Sequence, residues 1–324
     1  MQEIGPLPTR SPTISLVIPN WNGLAHLADC LDSVHAQTMQ PTETIIVDNG
    51  SSDGSVEFVM SRYPWAMLIA LASNAGVGVA LNRGIAASKG EFVALLNNDI
   101  ALSPRWLETM VAALESEPAA GSIACKMVKF FDRGRIDAAG DFLTRAGSPY
   151  TRGSDEPDDG RYRLREFVFG ACGAAALYRR SMLNVIGTFD EDFIAYYEDV
   201  DLSFRAQLAD YRCLYVPDAV CYHKRGATYG KVSGFAIRMQ ERNLTALYVK
   251  NFPTRLLMKK MLMIMASRVR RLYRSAKVGV GRPALAGLWE GLRATPLMLR
   301  KRRAIQQMRK VPLEHLGTFM KAKP

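Results

Sequence analysis

What most restricts the fold of this chain is a rhythm between Thr13 and Glu117. TISLVIP (Thr13–Pro19) is a β-branched, mostly apolar run of the kind that forms a strand buried on both faces. HLADCLDSVHAQ follows with helical spacing. ETIIVDNGSSDGS reads as a second buried strand running into a turn-rich loop, with a helix after Asp53. WAMLIAL is a third strand, and GVGVALNRGIAAS a helix opened by glycines. EFVALLNND is a fourth strand, and SPRWLETMVAALESE a helix with Ser103 as N-cap and Pro104 in its first turn. Strands alternating with helices in this way make an α/β fold with a mainly parallel sheet. Ligands of such sheets bind at the carboxyl ends of the strands.

After Ser122 the rhythm changes. FFDRGRIDAAGDFLTRAGSPYTRGSDEPDDGRYRLRE has no long period and reads as hairpins and a mobile loop. FVFGACGAAALYRRSMLNVIG reads as a small-residue strand and a short helix, EDVDLSFRAQLAD as a helix, and YRCLYVP and AVCYH as two strands. From Ser233 the chain is mostly helical and basic. The expected layout is an N-terminal tail (1–12), an α/β domain (13–232) and a basic helical extension (233–324). Charge marks the last boundary. Residues 231–324 hold 22 Lys and Arg against 3 Asp and Glu, whereas the preceding residues hold 20 against 28. That split suggests an acidic body whose tail meets something anionic. The five dispersed cysteines form no CxxC pair, which fits a reducing compartment. MQEIGPLPTRSPT has no apolar signal core, and no run approaches the ~18 apolar residues of a membrane span. The expectation is a cytosolic protein.

Three strands end in polar residues: PNWNG, VDNGSSDG and LNND. Asp48 is placed to accept from a ribose hydroxyl or a base N–H, or to cap a turn. Gly76-Val-Gly78 hints at a dinucleotide fingerprint, but its third glycine would fall at Leu81. A Rossmann-type NAD-dependent oxidoreductase stays open on that feature; the simpler reading is a helix start whose backbone lies close to a ligand. Asp99, beside Asn97 and Asn98 at a strand end, suits a hard cation such as Mg²⁺ or Mn²⁺ with a diphosphate completing its shell. It could equally be strand-to-loop punctuation. His223 gains a role only if the fold brings it to Asp99. Glu198, Asp199 and Asp201 crowd the start of a helix on which Asp199 and Ser203 share a face, so the three acids need not do one job.

In order, SLVIPNWNG, IIVDNGSSDGS, NAGVGVALNRGI, VALLNNDI, GACGAAALYRRSML, GTFDEDFIAYYEDVDLSFRA and AVCYHKRGATYG resemble the family 2 glycosyltransferases of GT-A fold. Among these the chain is similar to the bacterial rhamnosyltransferase and galactofuranosyltransferase group. The resemblance spans Thr13 to Ser233. It implies that Pro19, Asn20 and Asn22 line a nucleotide pocket, that Asp48 reads the base, and that Asn74, Gly76 and Asn82 shape the sugar-diphosphate site. Asn97-Asn98-Asp99 stands at the family's DXD position, with Asp99 the metal-binding acid; Asn97 replaces the first acid. His223 matches a histidine that completes metal or diphosphate binding. Glu198-Asp199 matches the acidic pair whose aspartate is the general base.

The implied activity is inverting, metal-dependent transfer of a sugar, such as rhamnose, from a nucleoside diphosphate sugar to a hydroxyl of a lipid-linked or polysaccharide acceptor. A cation stabilises the leaving diphosphate, and one positioned carboxylate takes the acceptor proton. The Asn97 departure keeps open a glycosyltransferase-like binding subunit without turnover. Finally, TRLLMKKMLMIMASRVRRLYRS carries Met258, Met261, Leu262, Met265, Val269 and Leu272 at helical spacing. Lys259, Lys260, Arg270, Arg271 and Arg274 fall largely elsewhere, and LRKRRAIQQMRK adds a second basic cluster. A basic amphipathic helix suits an anionic membrane surface, here the inner face of the cell membrane. The alternative is a helical hairpin packed on the α/β domain. The Met-rich face and the lack of any nucleic-acid motif speak against nucleic acid.

Overall fold

The computed structural model describes residues 11–224 and 233–322. Its first half alternates β1 (Ile14–Asn20), α1 (Leu24–His35), β2 (Glu43–Asp48), α2 (Ser55–Arg62), β3 (Met67–Ala70), α3 (Val77–Ala87) and β4 (Phe92–Leu96). Then come β5 (Ile100–Leu102), α4 (Trp106–Ser116), β6 (Ala120–Lys129), β7 (Ile136–Ala138), β8 (Asp141–Thr144), β9 (Pro149–Thr151), β10 (Glu166–Val168) and β11 (Ala175–Arg179). α5 (Arg180–Ile186), a single 3-10 turn at Glu191–Phe193, α6 (Glu198–Leu208) and β12 (Arg212–His223) complete the α/β part. The remainder is α7 (Gly234–Asn251), α8 (Thr254–Lys277), α9 (Gly281–Arg293), α10 (Thr295–Gln307), α11 (Leu313–Thr318) and β13 (Met320–Lys321).

The main sheet runs β10-β12-β6-β11-β4-β1-β2-β3. β4, β1, β2 and β3 are parallel neighbours, as are β12 and β6. β11 is antiparallel to both β4 and β6. One face is covered by α1 and α4 around Leu27, Leu31, Trp106 and Met110. The other is covered by α3, α5 and α6, and Phe204 of α6 shares its cluster with Leu244, Phe252, Ile264, Met298 and Ile305 from the C-terminal helices. Those helices therefore complete the core of the α/β part. Among the described residues no helix is long and apolar enough to cross a membrane.

Four local expectations need correction. YRCLYVP and AVCYH form one strand, β12, whose register slips between Val216 and Val220 around Pro217. A bulge absorbs the proline, which has no N–H for the ladder. Ser103 does not cap α4, which starts at Trp106 with Arg105 at the N-cap and no side-chain cap bond, so Pro104 also precedes the helix; the Ser103 N–H instead donates to Val220 O (3.1 Å), beside the β5–β12 ladder. The small-residue strand is two strands, β10 and β11, separated by Gly170–Gly173. The hairpin region includes a separate three-stranded sheet, β13-β8-β9, closed by the C-terminal Met320–Lys321. The ATYG end of the last motif and most of the N-terminal tail lie outside the described residues.

Candidate active site

Parallel pairing brings the carboxyl ends of β1, β2 and β4 together, and an asparagine network ties them. Asn20 donates from Nδ2 to Asp48 Oδ2 (2.8 Å), and Asn98 donates to Asn20 Oδ1 (2.6 Å). Ser51 N–H donates to the other Asp48 oxygen (2.8 Å), and Asp48 is 1% exposed. Asp48 is thus the hub that orders these loops. Pro19 is the partly exposed residue just before Asn20. Asn22, in the left-handed region at φ 48°, cross-links the loops: its N–H donates to Ser51 Oγ and its Oδ1 accepts from Ser52 N–H. Asn49 donates to Asn74 Oδ1 (3.1 Å) and to the Gly76 carbonyl (3.2 Å), fixing the loop ahead of α3.

Gly76 has φ 95°, and a Cβ there would sit 2.9 Å from the Ile194 carbonyl. A close neighbour of this glycine is therefore the backbone of the turn before α6. The Val77 N–H donates to the same carbonyl (3.1 Å). The Asn82 amide is taken up by both backbone groups of Phe189 and by Glu191. It ties α3 to the chain after α5.

His223, at the end of β12, does meet Asp99. Its Nε2 lies 3.4 Å from Asp99 Oδ1, and its Nδ1 lies 2.7 Å from Asp137 Oδ2. Burial opposes protonation of the ring, but the hydrogen bonds and charges of Asp137 and Asp99 outweigh it and raise its pKa to about 9. No cluster of three His, Cys, Asp or Glu side chains with metal-site geometry occurs among the described residues. The sheet carries the site onward to α6. Asn97 N–H donates to the Ala174 carbonyl (2.8 Å), and the neighbouring Gly173 N–H donates to Asp199 Oδ2 (2.8 Å). A Cβ on Gly173 would lie 3.0 Å from the Asp199 Cβ and 3.2 Å from its Oδ2, so glycine lets the two come close.

The three acids of α6 have three environments. Asp201 is fully buried and accepts from Arg205 (2.9 Å), Lys250 (2.8 Å) and Asn251 (2.8 Å). Burial alone would raise its pKa; Lys250 and Arg205 reverse that and lower it. Asp199 accepts backbone N–H bonds on both oxygens, from Gly173 and from Val200 (2.8 Å each). Glu198 has one oxygen buried without a partner, and burial together with the Asp199 charge lifts it to about 8. Burial raises Asp199 as well. Only Asp199 has two donors that favour its anion, so of the two acids Glu198 is the more readily protonated.

Asn49, Ser51, Asp137 and Gly173 were not singled out from the sequence. The NGSS turn after Asp48 carried a signal for the first two. Gly173 lies inside the GACGAAALYRRSML motif, but its partner Asp199 is 26 residues away; Asp137 carried no signal, and its partner is 86 residues away.

The sequence pattern of Glycosyl transferase family 2 matches residues 15–187, more than half of the chain. The chain belongs to this family. It is 29% identical over 233 residues to N-acetylglucosaminyl-diphospho-decaprenol L-rhamnosyltransferase of Mycobacterium tuberculosis, a match covering 64% of this chain and 74% of that protein. Its fold is similar to that of GalNAc-T7, solved with UDP, GalNAc and Mn²⁺ (TM-score 0.65, 15% identity, 81% of this chain and 51% of that one). It is also similar to the mannosyltransferase PcManGT of Pyrobaculum calidifontis, solved with GDP-Man and Mn²⁺ (TM-score 0.54, 18% identity, 94% and 88%). This chain is a glycosyltransferase of GT-A fold, and the oxidoreductase reading of Gly76-Val-Gly78 falls.

Proposed function

We propose that this glycosyltransferase moves a sugar with inversion from a nucleoside diphosphate sugar to a hydroxyl of a lipid-linked or polysaccharide acceptor. The observation that carries the reading is the convergence of Asp99 and His223 with Asp199, through Asn97, Ala174 and Gly173, on the carboxyl edge of one sheet. The donor set fits a divalent cation once His223 gives up the proton on Nε2, which the cation would displace. Asp99 offers a carboxylate and His223 a ring nitrogen, and Asp137 on the far ring nitrogen supplies the outer-shell carboxylate usual for a metal-binding histidine. Mg²⁺ or Mn²⁺ accepts such a mixed set when diphosphate oxygens and water complete it. The cation would stabilise the departing diphosphate as a Lewis acid.

The protein's own residues do the rest. The loops held by Asn20, Asn22, Asp48, Asn74 and Gly76 frame the nucleotide, with Asn97 and Asn98 beside the diphosphate. Asp199 takes the acceptor proton while the acceptor oxygen bonds to the anomeric carbon from the side opposite the diphosphate. The bond to diphosphate breaks, and its electron pair leaves with that group. Glu198, holding its proton, keeps the second negative charge away from Asp199.

The M. tuberculosis relative's name supports a rhamnose donor, tested here as dTDP-rhamnose, and a lipid diphosphate acceptor. The C-terminal helices support peripheral placement at the cytoplasmic face of the cell membrane. Met258, Leu262, Met265, Val269 and Tyr273 of α8 are all exposed, at spacings of four, three, four and four. Lys259, Lys260, Arg270 and Arg274 flank them. An apolar stripe edged with cations complements anionic lipid.

The first test is donor binding and turnover with dTDP-rhamnose and a panel of other nucleotide sugars, with Mn²⁺ or with EDTA. Both should drop sharply with EDTA and in Asp99→Ala. Unchanged affinity and turnover in both would remove the metal from the reaction.

A further inference from the structure

The turn that launches α6 is strained, and the side chains that hold it come from α7. Ile194, Tyr196 and Tyr197 have φ of 63°, 66° and 69°. A β-branched residue in that region is an outlier, and such strained residues persist only where their surroundings impose the conformation. Here they do. Asn243 of α7, 0% exposed, shares the two N–H groups of its Nδ2 among the carbonyls of Phe193 (2.8 Å), Ala195 (2.8 Å) and Tyr196 (2.7 Å). The neighbouring Arg242 donates to Asn243 Oδ1 (2.7 Å) and to the Asp192 carbonyl (2.6 Å). The amide can face only one way, since the reversed orientation would set its oxygen against three carbonyls.

The same turn touches both halves of the reaction. The Ile194 carbonyl accepts from Val77 at the start of α3 and closes over Gly76 on the donor side. Three residues after Tyr196 comes Asp199. Just before the turn, Asp190 accepts from Lys250 of α7 (2.5 Å) and from Lys301 of α10.

We infer that Asn243, oriented by Arg242, is a positioning residue for sugar transfer: it holds the 193–197 turn in its strained form and so sets where the Glu198–Asp199 pair stands relative to the donor. This deepens the proposed reaction and rests on its assignment of Asp199 as the base. It also makes the C-terminal helices part of the catalytic geometry. No residue of α7 touches substrate in this reading. Its influence passes through three main-chain carbonyls.

The test compares Asn243→Ala, Asp199→Asn and the control Gln306→Ala, which removes another side chain-to-backbone bond among the same helices (Gln306 to the Asn251 carbonyl, 2.9 Å). Each variant is assayed with saturating acceptor across a range of donor, well below its melting temperature, with amide exchange followed in the 193–200 segment. A misplacement of ~1 Å costs about 10²-fold. Asn243→Ala should lose that much in kcat, while its donor KM stays within about twofold. Its 193–200 amides should exchange faster while α7 stays protected. Gln306→Ala should keep wild-type kcat.

A folded Asn243→Ala with wild-type kcat overturns the inference, and so does a loss confined to KM. If Asn243→Ala does not fold, Arg242→Ala takes its place, since Arg242 is partly exposed, orients the amide and itself holds the Asp192 carbonyl just ahead of the turn; an unchanged kcat there overturns the inference equally. If Asp199→Asn keeps its turnover while Asn243→Ala loses it, the base assignment falls and the positioning of the turn stands.

Discussion

Glu198 and Asp201 lie three residues apart on one helix, and their surroundings push them in opposite directions. Asp201 faces three donors and is held charged; Glu198 faces none on one oxygen and is held neutral. The consequence for stability has a definite sign. The folded Glu198 carboxyl binds its proton more tightly than the unfolded one, with about 8 against an ordinary 4.5. The native state therefore holds more protons than the unfolded state in that window, and stability falls as pH rises through it. Glu198→Gln should remove this slope: its melting temperature relative to wild type should rise steadily between about pH 5 and pH 8. At neutral pH it should also keep most of its turnover, whereas Asp199→Asn should lose ~10²–10⁴-fold. Parallel thermal melts and rate assays read both, and a wild-type rate in Asp199→Asn would place the base elsewhere. That the three acids need not do one job was legible from helical spacing alone. Which partner each would find was not. Lys250 and Asn251 lie 49 and 50 residues from Asp201, and nothing local in the sequence pairs them. Asn243 is silent for the same reason: one asparagine inside a helix looks like a solvent-facing residue until the turn it holds is folded beneath it.

At the scale of elements, the alternation from β1 to β4 was readable because each strand is a continuous apolar run and each helix has its own period. The short strands were not: β5, β7 and β10 have three residues each and exist because a neighbour supplies the ladder. In α8 the apolar stripe was visible in the sequence, and the structure leaves it exposed. The helix packs by its other side, through Leu256 and Ile264, with Arg268 and Arg271 reaching the buried Glu241. Packing on the α/β part and an open apolar face thus coexist in one helix. α9 meets α7 by a different device. Gly287 and Gly291, one turn apart, let the helices approach until a Cβ on Gly287 would fall on the Arg238 carbonyl, and one on Gly291 would lie 2.7 Å from the Arg242 carbonyl. Backbone cannot swing aside as a side chain can. Gly287→Ala should therefore destabilise the protein by about 1–3 kcal/mol, as overpacking does, despite the higher helix propensity of alanine. Gly317→Ala, with nothing near its Cβ position, should fall within about ±0.5 kcal/mol. Denaturant midpoints distinguish the two, and equal midpoints would mean that α9 shifts freely on α7.

Over the whole molecule, the charge split and the exposed apolar face occupy the same helices. Residues 231–324 carry 22 basic side chains, and the face of α8 offers Leu262 at 84% exposure and Val269 at 66%, with Trp289 of α9 at 59%. Removing these helices is a poor test of membrane docking. Phe252, Ile264, Met298 and Ile305 pack in the same cluster as Phe204, Asn243 holds the turn before α6 and Lys250 binds Asp201 within it, so truncation would open the core and the site together. Exposed residues give the clean experiment, because their side chains support nothing inside. Leu262→Glu with Val269→Glu should abolish flotation with vesicles rich in anionic lipid while leaving melting temperature and transfer to a soluble acceptor unchanged. High salt should weaken wild-type binding without abolishing it, since salt screens the cations but leaves the apolar contribution in place. Vesicle binding by the double variant equal to that of the wild type would take the α8 face out of the interaction. Complete release of the wild type by salt would show attraction by charge alone.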